Sequence, residues 1–279
     1  MGEDFKWVNV DKREYIEPFA FNYGARFHQC MSRENEVRNA LHSLLSDEWK
    51  GNRILWIGDS CSVEESYPND LIRVLYEQTV EFGHPEDVFD LICETYQDVS
   101  GLFKEAEECV REYIGAYIAD VRAGIDVPNE FGIDINHPFR GLFQRETEEY
   151  RYTINYTKGI YYELEETAVV ARVHNAAFST ERYYYEVEED PLSLLLGYGE
   201  KAKPGEWLGD AIGVSNQRPE GFFRIPRIYL KYYPYYHNSC TLSRRMVRRM
   251  PKSKESIAVY PAEKGKTPKN TLSGDVPPA

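Results

Sequence analysis

A serine, an aspartate and a histidine occur in this chain at spacings that some hydrolases use. The apolar run 53–57 ends abruptly in Gly58-Asp59-Ser60, which is how certain hydrolases present a nucleophilic serine at the end of a strand. Asp134 and His137, three residues apart, have the spacing that supplies the acid and base of such a site. Ser60, Asp134 and His137 are therefore the candidate catalytic residues.

Other spacings argue against a serine hydrolase of the Gly-Asp-Ser type. Such enzymes add a Gly-x-Asn-Asp block, but Asn69-Asp70 follows Pro68 and has no glycine two residues before the asparagine. His137 follows mainly helical sequence, too early for the alternating strands and helices of that fold. We therefore predict that Gly58 and Asp59 form a turn after a buried strand, with Asp59 accepting backbone N–H bonds. The hydrolase remains the alternative.

The other titratable residues show no pattern typical of a metal or cofactor site. No histidine pair has H-x-x-x-H or H-E-x-x-H spacing, no C-x-x-C occurs, and there is no glycine-rich phosphate loop. We predict neither a metal ion nor a cofactor. His42 falls on a polar side of its helix and is predicted to be solvated. The acidic clusters that contain Glu163 and Asp190 are predicted to be solvated faces.

Charge and composition limit the partners. The 279 residues carry a net charge of −13, which disfavours binding to a nucleic-acid backbone. Only the stretch Arg244–Lys254 is basic enough to contact RNA or an acidic protein. No apolar run approaches the ~18 residues of a membrane span.

The cysteines and the first residues indicate the compartment. The five cysteines are odd in number and widely spaced, which is typical of reduced thiols rather than of a disulfide framework. The first residues are charged and do not resemble a secretory signal. We therefore predict a soluble, cytoplasmic protein.

Three segments have the apolar spacing of amphipathic helices. The second is expected to begin at Asn69 or Asp70, and the third runs from about Leu102 to Arg122. The first is expected to be capped by Ser32, and its apolar positions are Val37, Ala40, Leu41, Leu44 and Leu45.

Strand patterns occur in both halves of the chain but dominate the second. In the run 53–57 we expect an interior strand with Trp56 on the opposite face from Leu55 and Ile57. The segment 150–156 alternates aromatic and polar residues with period two, and further β-type segments follow it.

Tyrosines are concentrated in the second half of the chain. Tyrosine combines a large contact area with a hydrogen-bonding tip, which favours interfaces and ligand pockets, although a sheet core enriched in tyrosine is the alternative. The candidate binding residues are Tyr183, Tyr185, Tyr232 and Tyr235.

Two motifs occur twice, in the same order. The segment 7–15 aligns with 153–161, and the motif E-W-x-G-[ND] at 48–52 recurs at 206–210. The repetition predicts a duplication in which both motif tryptophans are buried. The signature residues are Asn9, Lys12, Tyr15, Trp49, Gly58, Asp59, Asn155, Lys158 and Trp207.

These motifs carry a resemblance. The segments WVNVDKREYI and WKGNRILWIGD resemble a group of uncharacterised bacterial and phage-like proteins with the pattern V-N-x-[TD]-K-[KR]-E-Y-[IV], then W-x-G-[DN]-R-I near a G-D. The second copy, YTINYTKGIYY, departs from the pattern at Gly159 and Ile160. The resemblance supplies no catalytic residue, and it implies that the G-D turn is structural.

The sequence predicts an α+β fold made of two diverged copies of a strand/helix/strand unit, with a helix-rich first half and a β-rich second half. The expected divisions are a first unit at 1–123, a connection at 124–149, a second unit at 150–250 and a disordered tail at 251–279. The predicted function is non-enzymatic binding of an unknown protein or small molecule through a tyrosine-rich surface or pocket.

Overall fold

The computed structural model describes residues 3–27, 29–84, 87–174, 182–187, 189–200 and 204–230. All of these lie in one compact unit, Met1–Arg249. The predicted tail at 251–279, the basic stretch Arg244–Lys254, and Tyr232 and Tyr235 lie outside the described residues.

Helices and strands both build the described chain, which is an α+β protein as predicted. The α-helices are α1 (Glu36–Ser46), α2 (Asp70–Phe82), α3 (Val88–Thr95), α4 (Glu107–Arg122) and α5 (Leu192–Leu195). The strands are β1 (Phe5–Asn9), β2 (Glu14–Ile16), β3 (Asn52–Gly58), β4 (Gln97–Asp98), β5 (Tyr152–Asn155), β6 (Ile160–Glu163), β7 (Ala168–His174), β8 (Arg182–Val187), β9 (Gly197–Tyr198), β10 (Ala211–Ser215), β11 (Phe223–Arg224) and β12 (Arg227–Leu230).

Most of the described strands form one mixed sheet. Its order is β11-β6-β5-β10-β3-β1-β2-β4, and β9 pairs with β3 as well. β3 is central because β1 pairs along its length, while β10 pairs with its first residues and β9 with later ones. A smaller sheet has the order β12-β7-β8. Strands from both predicted units, 1–123 and 150–250, therefore share the larger sheet.

Helices cover both faces of the sheet at β3. Ile54 and Trp56 pack in a core cluster with residues of α1 and α4. Leu55 and Ile57 pack in a second cluster with residues of α2 and α3. All four side chains are fully buried. The predicted alternation of β3 is confirmed, and both faces of the strand are interior.

The first helix begins later than expected. Asn35, and not Ser32, caps α1, because its Oδ1 accepts the backbone N–H of Val37 at 2.9 Å. Ser32 lies about one turn too early to reach the free N–H groups at the helix start. The predicted apolar stripe is buried against the sheet.

The other helix starts are also set locally. Asn69 caps α2, as predicted, by accepting the N–H of Leu71 at 3.0 Å. α4 starts at Glu107 rather than Leu102, because the residues before it form two short 3₁₀ turns. Within the described ranges, no helix has the length and apolar character needed to cross a membrane.

The strand pairs β1–β2 and β5–β6 are hairpins with the same register. Asn9 lies opposite Glu14 in the first hairpin, and Asn155 lies opposite Ile160 in the second. In both hairpins the asparagine ends the first strand, and the turn that follows has the same length. The aligned segments 7–15 and 153–161 thus adopt the same local fold.

The asparagine side chain closes each turn in the same way. Asn9 Oδ1 accepts the backbone N–H of Lys12 at 3.1 Å. Asn155 Oδ1 accepts the backbone N–H of Lys158 at 2.9 Å. Such Asx hydrogen bonds stabilise a turn without help from distant residues, which explains the shared Asn-x-x-Lys spacing.

The repeated E-W-x-G-[ND] motifs also have matching backbone geometry. Trp49 and Trp207 are both buried, as predicted. Gly51 and Gly209 have φ angles of +77° and +86°, a left-handed conformation that favours glycine. The two glycines therefore turn the chain in the same manner from the buried tryptophan into β3 and into β10.

Each motif is joined to its hairpin by the asparagine amide. Asn9 Nδ2 donates to Asn52 Oδ1 at 3.1 Å, and Asn155 Nδ2 donates to Asp210 Oδ2 at 2.7 Å. Each asparagine side chain thus has two roles. Its oxygen closes the turn of its own hairpin, and its amide nitrogen binds the residue at the start of β3 or immediately before β10. This double use explains why the two motifs occur together.

The two arrangements meet where β3 pairs with β10. Arg53 and Ala211, the residues that follow Asn52 and Asp210, lie opposite each other in an antiparallel pair. Antiparallel pairing of corresponding residues places a local twofold axis between the strands. The axis relates further backbone bonds, from Val10 N to Arg53 O and from Tyr156 N to Ala211 O.

We expect Trp56→Ala to lower the free energy of unfolding by about 3–5 kcal/mol, because it removes a ring packed against Phe5 and Trp7 and leaves a cavity. Urea unfolding followed by circular dichroism measures the change. Ser60→Ala is the control; this exposed residue should change stability by less than about 0.5 kcal/mol. A loss below about 1 kcal/mol for Trp56→Ala would contradict the burial of this ring.

Candidate functional site

Ser60 lies exposed at the turn after β3. Its hydroxyl donates to Asp59 Oδ1 at 3.0 Å, and Asp59 is exposed as well. Asp59 donates its own backbone N–H to Asp4 O at 2.8 Å. Among the described residues no backbone N–H donates to the Asp59 carboxylate, so that detail of the predicted turn is wrong.

His137 lies in the connection 124–149 and is also exposed. Its Nδ1 is 3.2 Å from Asp134 Oδ2, which is the short-range pair that the sequence spacing implied. No hydrogen bond within the described chain joins this pair to Ser60. The structure therefore places the three candidate catalytic residues at two exposed positions, without the serine–base contact that nucleophilic catalysis uses.

The candidate binding tyrosines lie in or beyond β8. Tyr183 and Tyr185 belong to β8, where their backbones pair with Val173 and Ala171 of β7. The side chains of that strand are not described, and Tyr232 and Tyr235 follow the last described residue. The tyrosine-rich surface stays a prediction.

A buried ion pair joins α1 to the segment before α5. Arg38 Nε donates to Asp190 Oδ2 at 2.7 Å, and both side chains are 1% exposed. The Tyr162 hydroxyl donates to the other oxygen of Asp190 at 2.6 Å. Burial opposes ionisation of Asp190, but the charge of Arg38 and the contacts with His42 and Tyr162 hold its pKa well below the usual range. The prediction of a solvated face at Asp190 is wrong.

His42 is completely buried in the same cluster. Its Nδ1 accepts the backbone N–H of Tyr150 at 3.4 Å, and its Nε2 lies 3.3 Å from Asp190 Oδ2 without hydrogen-bond geometry. Burial lowers the pKa of His42, so the imidazole is mainly neutral at pH 7. The predicted solvation of His42 is wrong because its partners come from distant segments, which pack on the polar side of α1.

Glu163 is also buried rather than solvated. It accepts from Arg151 Nε at 2.6 Å, and Arg224 Nε lies 3.9 Å from its other oxygen. The acidic cluster of the sequence is therefore divided between a paired interior carboxylate and solvent-exposed neighbours. Both Asp190 and Glu163 serve packing, because their oxygens are taken by neighbouring side chains.

The described residues contain no group of three or more His, Cys, Asp or Glu side chains that could hold a metal ion. The four described cysteines are free thiols: Cys30 and Cys61 are buried, and Cys93 and Cys109 are half-buried.

A cavity of about 260 Å³ lies at the edge of the larger sheet, where β2 pairs with β4. We call it the sheet-edge cavity. The polar residues of its lining are Lys12, Glu14, Glu48, Gln97 and Asp98. The apolar residues of its lining are Leu44, Val99, Leu102, Phe131 and Leu142. A concave apolar surface with a few convergent polar groups is the usual form of a small-molecule site.

Two of the wall carboxylates are fixed by neighbours. Glu14, in β2, accepts from Trp49 Nε1 at 2.6 Å. Glu48 accepts from Arg145 Nη1 at 2.7 Å and from the second terminal nitrogen of the same guanidinium. The signature tryptophan therefore orients one wall carboxylate, and the arginine balances the charge of the other.

Asp98, in β4, is the most buried polar residue that borders the cavity, at 3% exposure. Its backbone N–H donates to Glu130 O at 2.7 Å, and its Oδ1 accepts the N–H of Ser100 at 2.8 Å. Burial raises the pKa of Asp98 to about 7, although the hydrogen bonds with Ser100 and the charge of Lys6 oppose the shift. Because Asp98 pairs with Tyr15, its carboxyl lies on the Tyr15 face of the sheet, beside Lys6 and Glu17, and not on the face of Glu14 and Leu44.

Lys12 differs from its counterpart across the local twofold axis. Lys158 Nζ donates to Glu206 O at 2.9 Å and forms an ion pair with Asp210. In the first half the residue that corresponds to Asp210 is Asn52, which carries no charge. Within the described chain Lys12 forms no ion pair, and its side chain lines the sheet-edge cavity.

Sequence reasoning identified Lys12 and Trp49 only as signature residues and missed Glu14, Glu48 and Asp98. The spacing of Asp98 and Ser100 marks a local Asx hydrogen bond. Nothing in the sequence indicates that this turn is buried, because the burial comes from the distant connection 124–149.

Comparison with protein-family models, with curated proteins and with solved structures finds no match. The geometry of the chain itself therefore carries the functional argument.

We expect the stability of the wild type to fall, relative to Asp98→Asn, as the pH rises from about 4 to about 7. A carboxyl with a raised pKa holds its proton more tightly in the folded than in the unfolded protein, whose reference value is 3.8. The relative slope should approach about 1.4 kcal/mol per pH unit. Urea unfolding at several pH values measures it; parallel curves for the two proteins would contradict the raised pKa.

We expect no covalent labelling of Ser60 by a fluorophosphonate serine probe, since its hydroxyl contacts only the exposed Asp59 carboxylate and no described histidine. Intact-mass spectrometry of the treated protein measures the extent of labelling, with Ser60→Ala as the matched control. Stoichiometric labelling that disappears in Ser60→Ala would establish the serine-hydrolase alternative.

Proposed function

We propose that this chain is a non-enzymatic binding protein that takes a small molecule in the sheet-edge cavity. The observation that carries the proposal is a cavity of about 260 Å³ whose lining combines apolar residues with Lys12, Glu14 and Glu48. Such a lining can hold the apolar part of a small molecule and orient its polar groups.

The chemistry of the wall supports binding rather than catalysis. The described lining contains no serine, cysteine, threonine or histidine that could act as a nucleophile with an adjacent base. Glu14 and Glu48 are held by Trp49 and Arg145, so they are fixed acceptors rather than free acids or bases. Fixed polar groups around an apolar wall give orientation and specificity to a bound ligand.

The matching hairpins support the predicted duplication, so we propose that the chain contains two diverged copies of one strand/helix/strand unit. The shared register, the two Asx turns and the two left-handed glycines favour this origin. The second copy has lost or never had the site, because Lys158 is bound to Asp210 and to the Glu206 carbonyl. The proposal therefore predicts one ligand per chain.

The free thiols favour a reducing compartment, and we propose that the protein acts inside the cell. The predicted helix-rich first half and β-rich second half, and the tyrosine-rich surface on and beyond β8, remain part of the proposal. That surface would be a second contact region and not the wall of the cavity.

A ligand-observed NMR screen tests the proposal with a panel of small polar and amphipathic compounds. Leu142→Trp places an indole in the cavity from a half-buried position in the connection, so it should abolish binding of the compounds that bind the wild type. Val80→Trp is the matched control, because Val80 is 50% exposed on α2 and lies outside the cavity; it should bind as the wild type does.

Thermal unfolding of both tryptophan variants checks that they remain folded. Binding that persists in folded Leu142→Trp, or no binding of any panel compound to the wild type, would contradict the sheet-edge cavity as the functional site.

A further inference from the structure

Lys6 carries a buried amine on the face of the sheet opposite Glu14 and Leu44. Along β1 it alternates with Phe5 and Trp7, so its side chain extends toward α3. The residue is only 7% exposed. A lysine is almost never buried to this extent unless its charge is paired, and here Nζ lies 2.9 Å from Glu17 Oε2. The fold therefore holds this amine in a fixed place.

The same amine donates a hydrogen bond to the thiol sulfur of Cys93. The distance from Lys6 Nζ to Cys93 Sγ is 3.0 Å, and Cys93 lies on α3. Two rings fix the amine further, because Nζ lies 4.6 Å from the ring centroid of Tyr15 and 4.8 Å from that of Phe89. An amine and a thiol from distant parts of the chain are thus held in contact.

The contact with an amine distinguishes Cys93 from the other described cysteines. Cys30 and Cys61 are buried, so an oxidant in solvent does not reach them. Cys109 is half-buried, as Cys93 is, but its thiol donates to Asn22 Oδ1 at 3.0 Å. No hydrogen bond within the described chain joins Cys109 to a lysine. Cys93 therefore combines partial exposure with an amine neighbour, which is the arrangement in which an oxidised sulfur can be captured by nitrogen.

We propose that Lys6 and Cys93 are a modification site, at which hydrogen peroxide produces a reversible sulfenamide cross-link between Nζ and Sγ. The link would join β1 to α3. The inference does not depend on the proposed function, because none of these residues lines the sheet-edge cavity.

The reaction uses one hydrogen peroxide in two steps. The Cys93 sulfur first attacks the peroxide, the O–O bond breaks, and a sulfenic acid and one water form. Sulfur loses the two electrons that the peroxide gains. Glu17 then takes a proton from the Lys6 ammonium, and the free amine attacks the sulfenic sulfur. An S–N bond replaces the S–O bond, and the hydroxyl leaves with a second amine proton as water.

The charges around the pair favour this order of events. Burial opposes the charge on Lys6, but Glu17 and Cys93 favour it and hold the pKa of the amine above its usual range. A sulfenic acid is uncharged, so oxidation of Cys93 removes one of the two groups that favour the ammonium. Burial raises the pKa of the Cys93 thiol and Lys6 opposes that shift, while Glu130 and Glu17 add to it. The first step should therefore accelerate above pH 7, because the thiolate is the attacking form.

Peptide mapping by mass spectrometry after treatment with hydrogen peroxide tests the proposal. The wild type should yield a joined pair of peptides that contains Lys6 and Cys93 and is lighter than their sum by two hydrogen atoms. Dithiothreitol should separate the pair. In urea that unfolds the chain, the yield should fall about tenfold or more, because the two atoms are held together only by the fold.

Cys93→Ser and Lys6→Arg should each abolish the joined peptide. Lys6→Arg keeps a positive charge beside Glu17, and circular dichroism checks that both variants are folded. Cys109→Ser is the matched control, because it removes the other half-buried thiol; it should form the cross-link to the same extent as the wild type.

Thermal unfolding provides a second readout. A cross-link between β1 and α3 restricts the unfolded chain, so peroxide should raise the unfolding midpoint of the wild type but not that of Lys6→Arg. Dithiothreitol should reverse the rise.

Three results would overturn the inference. One is oxidation of Cys93 to the same unlinked products in the wild type and in Lys6→Arg, which would make it an ordinary thiol. Another is an equal yield of the joined peptide in folded and unfolded protein. The third is a joined peptide with an additional oxygen atom, which would identify an N–O–S bridge in place of the sulfenamide.

Discussion

The packing of the described chain depends on one buried carboxylate, that of Asp190. It accepts hydrogen bonds from Arg38 of α1, from Tyr162 of β6 and from the backbone N–H of Leu192 in α5, while its own N–H donates to Met31 O. The segments of Met31, Arg38 and Tyr162 are thereby joined to the start of α5. A buried ion pair adds little net stability, but loss of the carboxylate would leave the buried Arg38 paired only with Glu149, whose side chain is half exposed. The interaction therefore specifies which segments meet, and hydrophobic burial supplies most of the stability.

The local twofold axis between β3 and β10 shows how two similar backbones acquire different chemistry. In both hairpins an asparagine closes the turn and also bonds to the residue at the start of β3 or immediately before β10. In the second hairpin the asparagine bonds to Asp210, which also forms an ion pair with Lys158. In the first hairpin the asparagine bonds to Asn52, which carries no charge, and Lys12 lines the sheet-edge cavity. A carboxylate and an amide differ little in volume, so both halves keep the same backbone geometry although only the second forms the ion pair.

The sequence predicted the features that short-range physics determines. The apolar stripe of α1, the alternating faces of β3 and the Asn-x-x-Lys turns follow from periodicity and local hydrogen bonding. It did not predict the burial of His42 or Asp98, because the residues that cover them come from other parts of the chain: Tyr150 and Asp190 at His42, and Tyr15 and Glu130 at Asp98. The sequence also concealed that the two hairpins share one backbone conformation. Arg13 has φ +57° and the corresponding Gly159 has φ +64°, so the change from arginine to glycine does not alter the turn.

The apolar wall of the cavity comes partly from the connection 124–149, which has no helix or strand of its own. Its position is nevertheless defined, because Phe143 N donates to Gly101 O at 2.8 Å and Lys104 N donates to Arg145 O at 2.8 Å. A methyl group at Gly101 would lie 3.1 Å from the Leu142 side chain, so glycine allows the close approach that completes the wall. Strands β2 and β4 thus supply Glu14, Gln97 and Asp98 to the lining, and a loop held by a few backbone bonds supplies Phe131 and Leu142.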